Sequence, residues 1–88
     1  MRRYTVRLAE KAKRTLAKVP QKEQAKIMDA IEELGLDPRP RGYVKLKGCS
    51  GAAMYRIQYG NYRIIYTVED AKLLVLVVEV GDRKDIYR

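Results

Sequence analysis

No histidine occurs in these 88 residues, and neither does phenylalanine or tryptophan. The missing imidazole removes the side chain most used as a general base near neutrality and the commonest metal ligand. A single cysteine, Cys49, excludes an internal disulfide and agrees with a reducing compartment. No base or helix start adjoins it, so the thiol reads as inert. With one cysteine and scattered carboxylates, neither a metal site nor a cofactor is expected. Long apolar runs are also lacking. The longest, Leu73 to Val78, fits a buried strand and is far too short for a bilayer. Met1-Arg2-Arg3 is basic, but a polar segment of helical pattern follows it instead of an apolar signal core. The chain is therefore expected in the cytoplasm.

What is present is a third charged residues and nearly half hydrophobic ones, the composition of a globular chain, and residues 1–88 form one domain with one modest core. The formal net charge is +8 and unevenly spread. Residues 1–19 carry +6, residues 20–37 carry −3, and residues 67–88 carry −1. From Pro38 to Tyr66 there are six basic residues (Arg39, Arg41, Lys45, Lys47, Arg56, Arg63) and no acid. A stretch of that kind predicts a polyanion footprint.

Arg3 to Leu8 alternates as a strand. Leu8, Ala12, Leu16 and Val19 then fall at helical spacing, with Glu10 and Arg14 as an i,i+4 pair. Val19-Pro20 ends this helix, and Pro20 suits the first turn of a second. Ile27, Ala30, Ile31 and Leu34 form the second helix's apolar stripe, and Gly35 is its expected stop. After the breaker-rich loop Asp37–Gly42, Tyr43 to Gly48 alternates weakly, as a short edge segment would. Met54 to Val68 reads as a hairpin about Gly60-Asn61. Its two-residue turn predicts Tyr59 opposite Tyr62, Ile57 opposite Ile64 and Tyr55 opposite Tyr66 on one face. Gln58 opposite Arg63 and Arg56 opposite Ile65 occupy the other. Lys72 to Val80 is a last strand, apolar on both faces and so interior to a sheet, which Gly81 is expected to break.

The fold class is then α+β: a strand, a two-helix hairpin and a three-stranded antiparallel meander, with helices packed on one sheet face. Arg56, Gln58 and Arg63 look out from the other. Two guanidiniums that close repel each other, so an anion between them is expected. Fixed cations without histidine or metal suit RNA cleavage by its own 2′-hydroxyl, where arginine forks stabilise the phosphoryl charge. A tyrosine beside cations has a lowered pKa. Tyr87, following Arg83 and Lys84, stands in such a place.

The run Leu46-Lys47-Gly48, then Tyr55-Arg56-Ile57 and Gly60-Asn61-Tyr62-Arg63-Ile64-Ile65-Tyr66, then Val80-Gly81-Asp82-Arg83-Lys84-Asp85-Ile86-Tyr87-Arg88, resembles the RelE/ParE toxin superfamily. It is most similar to the RelE-like branch. The resemblance implies the toxin of a type II toxin–antitoxin pair, a ribosome-dependent mRNA endoribonuclease acting in the ribosomal A site without metal. It implies a cognate RelB-like antitoxin as partner and no association with membrane. Carried over, Tyr87 is the terminal tyrosine base, Arg83 assists the leaving group, and Arg63 stabilises the transition state. Arg56 and Gln58 take positions where well-studied members have two lysines. Gln58 keeps only hydrogen bonding, so RNA contacts are expected from Lys45, Lys47, Arg41 and Lys84 as well. The alternatives are a ParE-like inhibitor of DNA gyrase on the same fold, or a catalytically inactive basic nucleic-acid-binding domain.

Overall fold

The computed structural model describes residues 3–46 and 53–82. The elements are β1 (Thr5–Leu8), α1 (Glu10–Ala17), α2 (Gln21–Glu33), β2 (Val44–Leu46), β3 (Ala53–Tyr59), β4 (Tyr62–Glu69) and β5 (Leu74–Asp82), with a single 3₁₀ turn at Asp70–Lys72. They form one five-stranded sheet in the order β1-β5-β4-β3-β2. β1 runs parallel to β5, and every other neighbouring pair is antiparallel. The expected meander is β3-β4-β5, and the weakly alternating segment at Tyr43 extends it as the edge strand β2.

The helices bury one face of this sheet. Ala12 and Leu16 of α1, and Ile27 and Ile31 of α2 with Leu34 beyond it, join one core with Tyr55, Ile64, Tyr66, Val68, Val75, Val77 and Val80. Each fully buried large side chain contributes about 1.5–3 kcal/mol. Gln24 Nε2 donates to the carbonyl of Leu16 at 2.7 Å, a second bond to an acceptor that Val19 N also reaches at 3.1 Å, and so ties α2 to the end of α1. Glu10 pairs with Lys13 at 3.7 Å, one turn position short of the expected Arg14.

The hairpin follows the predicted register from Ala53↔Val68 to Tyr59↔Tyr62. Gly60, with φ +58°, takes the first central position, where such a tight turn needs a left-handed residue. α2 stops at Glu33 with Leu34 as its cap, so Gly35 follows the helix end as expected, but for a different physical reason. Its φ is not positive; instead β1 runs against it. Tyr4 N donates to its carbonyl at 2.8 Å, and a Cβ there would meet Tyr4 O at 3.0 Å and Val6 Cγ2 at 3.1 Å. Glycine stands there because backbone approaches closely.

Gly81 does not break β5. It lies within the strand, paired with Arg63, because a ladder partner on β4 holds it extended. The strand instead departs from regularity at a β-bulge. Ile65 pairs with Glu79 but Tyr66 with Val77, leaving Val78 as one extra residue. Val75 and Val77 are buried in the core before the bulge, and Val80 after it. The bulge thus reverses which residues point inward.

Candidate functional site

Antiparallel partners share a sheet face, so the register defines the surface the helices leave bare. One row across it is Val44, Arg56, Ile65 and Glu79, and the next is Gln58, Arg63 and Gly81. Arg56 and Arg63 are diagonal neighbours there, a placement with Cα atoms about 7–8 Å apart. Both are half-buried, whereas Gln58 is exposed. Gln58 Nε2 lies 3.4 Å from the carbonyl of Gly60, which holds it against the turn. Two guanidiniums and an amide on neighbouring rungs offer planar donor forks to a phosphate.

The other expected contacts divide. Arg41 borders a groove of about 420 Å³ between the end of α2 and the end of β3, shared with Leu36, Asp37, Ile57, Gln58 and Tyr59. Arg41 and Gln58 are therefore brought together. Lys45 is not: it pairs with Tyr55, on the sheet face opposite Arg56. Lys47, Arg83, Lys84 and Tyr87 lie outside the described residues, as does Cys49.

Arg39, counted from sequence among the cations of the acid-free stretch, has a structural role on the helix side. Its Nη2 donates to Asp70 Oδ2 at 2.8 Å and its Nη1 to Oδ1 at 3.2 Å. Its Nε donates to the Tyr55 hydroxyl at 3.2 Å, and its guanidinium lies 5.2 Å from that ring's centroid. Tyr4 donates to Asp70 Oδ1 at 2.6 Å. The bidentate arginine first, and then the phenol, hold the Asp70 carboxyl down to about 2. The same bond from Tyr4 to a carboxylate pushes the phenol's pKa up.

The tyrosines near this cluster serve the core. Tyr55 and Tyr66 stack with centroids 5.7 Å apart, and Tyr43 meets Tyr55 edge-on at 5.7 Å. Tyr66 is wholly buried and donates to the carbonyl of Pro38 at 2.7 Å. Burial pushes its phenol up to about 12, so it stays a neutral donor.

Sequence reasoning missed Glu79. It was read as part of a strand apolar on both faces, yet it is the one charge between Leu73 and Val80. That lone charge was the available signal. Where it points depends on the bulge, which periodicity does not reveal.

Comparison with known proteins agrees with this architecture. Residues 6–87 match the family model described as the ParE toxin of the type II toxin–antitoxin system parDE. Toxin RelG of Mycobacterium tuberculosis is 31% identical over 86 residues, which cover 97% of each chain. The toxin–antitoxin complex RelBE2 of the same organism contains a chain of TM-score 0.81 and 27% identity, with 94% of each chain covered. The archaeal RelE–RelB complex of Pyrococcus horikoshii gives TM-score 0.81 at 24% identity, covering 91% of this chain and 94% of that one, a likeness of fold. With strand order, bare arginine face and family match in agreement, the chain belongs to the RelE/ParE superfamily of type II toxin–antitoxin toxins.

Proposed function

We propose that this toxin is a ribosome-dependent mRNA endoribonuclease of the RelE type, acting in the cytoplasm and held inactive by a RelB-like antitoxin. The observation that carries the reading is the diagonal pair Arg56 and Arg63 on the face without helices. Similarity to Toxin RelG, and to toxin chains solved with antitoxins, supports it further.

In this reading mRNA in the ribosomal A site lies across the outer face. The 2′-oxygen attacks the adjacent phosphorus, the bond to the 5′-oxygen breaks, and a 2′,3′-cyclic phosphate remains. Tyr87 takes the 2′-hydroxyl proton and Arg83 assists the departing oxygen. Arg63 and Arg56 hold the phosphoryl oxygens, where donors aimed at developing charge contribute most. Gln58, Arg41, Lys45, Lys47 and Lys84 would extend the grip along the strand, Lys45 only where RNA wraps the β2 edge.

A second reading, inhibition of DNA gyrase, is favoured by the ParE description of the matching family. One assay separates them: mRNA cleavage with and without ribosomes by the chain, Tyr87→Phe and Arg83→Ala. Ribosome-dependent cuts are expected, lowered on the order of a hundredfold by each substitution. Cleavage unchanged by both would reject the site. Growth arrest with intact mRNA and inhibited gyrase would establish the alternative.

A further inference from the structure

The bulge in β5 places a carboxylate where a phosphate-binding face has least use for one. Without the extra residue at Val78, Glu79 would continue the inward series of Val75 and Val77. With it, Glu79 pairs with Ile65 and shares a row with Arg56 on the outer face. The side chain is about 30% exposed, and Lys11 of α1 holds it through Oε1. Glu69 also points outward, but it sits at the far end of β4, four residues from Ile65, and pairs with Lys72 at 3.4 Å. Of these two outward carboxylates, Glu79 is the one in a row with Arg56 and diagonal to Arg63.

Such a group repels phosphate and accepts hydrogen bonds only. Glu79 is two strands, about 9–10 Å, from Arg56 and a diagonal neighbour of Arg63 on the adjacent strand, about 7–8 Å between Cα atoms. A phosphate held between the arginines therefore has Glu79 to one side, on the flank where that nucleotide's base can lie. Lys11 fixes Oε1 and leaves Oε2 for a donor. Single-stranded RNA is read on splayed bases through their hydrogen-bonding edges. Adenine, cytosine and guanine each offer an exocyclic amino group to a carboxylate, while uracil offers a ring N–H flanked by two carbonyls.

Building on the endoribonuclease reading, we infer that Glu79 is a specificity-determining residue that accepts a hydrogen bond from the exocyclic amino group of a base beside the bound phosphate, disfavouring uracil there. A carboxylate serving only to tie α1 to β5 would affect stability and leave base preference alone.

The test has two arms. Cut sites mapped across transcripts on ribosomes are compared for the chain, Glu79→Gln and Glu79→Ala. Uracil should be depleted about tenfold at one position near the cut, and both substitutions should erase the depletion. Binding of oligo-C and oligo-U by fluorescence anisotropy needs no cleavage. The unsubstituted chain should prefer oligo-C, and Glu79→Gln should remove the preference. Loss of preference in the binding arm supports the inference even when no transcript is cut, an outcome that sinks only the nuclease reading. Preferences unchanged by both substitutions, with melting temperature lowered or not, overturn it.

Discussion

The two faces of this sheet use the same residue types to opposite ends. On the helix side Arg39 is closed onto Asp70 and Tyr55, Tyr4 onto Asp70, and Tyr66 onto the Pro38 carbonyl. On the outer side Arg56, Arg63 and Gln58 are arrayed on adjacent rungs of the hairpin, without a helix over them. A guanidinium closed into a bidentate pair with carboxylate is committed to the fold. One carried on a strand face with no helix over it stands where a ligand can approach. Counting cations along the chain does not separate the two; the sheet does.

That contrast is open to attack from both sides. The largest effect is expected from Ile31→Ala, which empties a fully buried site and should cost about 2–5 kcal/mol in denaturant unfolding. Its folded fraction should cleave as the unsubstituted chain does. Arg63→Ala should do the reverse, lowering cleavage on the order of a hundredfold while circular dichroism reports a folded chain. Were Ile31→Ala to abolish cleavage while still folded, the faces would not be independent. Tyr66→Phe leaves the Pro38 carbonyl without its donor and should cost about 1–3 kcal/mol, with no change in RNA binding.

The smallest effect concerns pH. The folded-state Asp70 carboxyl titrates at about 2, below its ordinary 3.8. A depressed carboxylate pKa stabilises above the unfolded value and ceases to as pH falls through the folded one. The melting-temperature gap between the unsubstituted chain and Asp70→Asn should therefore be constant above about pH 4–5 and shrink toward pH 2. A gap unchanged across that range would remove Asp70 as the latch between β1, the Pro38–Pro40 loop and the β4–β5 turn.

Much of this was legible before any coordinates. Period-2 alternation about Gly60-Asn61 sets the hairpin register, because a two-residue turn leaves no freedom to slip. Helical spacing at Ile27, Ile31 and Leu34 identifies the stripe that α2 buries. What escaped depended on contacts between distant segments. Gly35 resembles a helix stop, but its reason is the backbone of β1. Arg39 resembles one more cation, but its partner Asp70 is 31 residues away. Glu79 resembles a flaw in an apolar strand, and only a bulge set by pairing with β4 turns it outward.

The central claim is that phosphate is held by the arginines of the bare face and not by the chain's positive charge at large. The salt dependence of single-stranded RNA binding tests it most directly. Each phosphate contact adds about 0.7 to the slope of log affinity against log salt. Arg56→Ala and Arg63→Ala should each flatten that slope by about 0.7, and Arg39→Met should leave it unchanged. Equal flattening by all three, or by Arg39→Met alone, would contradict the account.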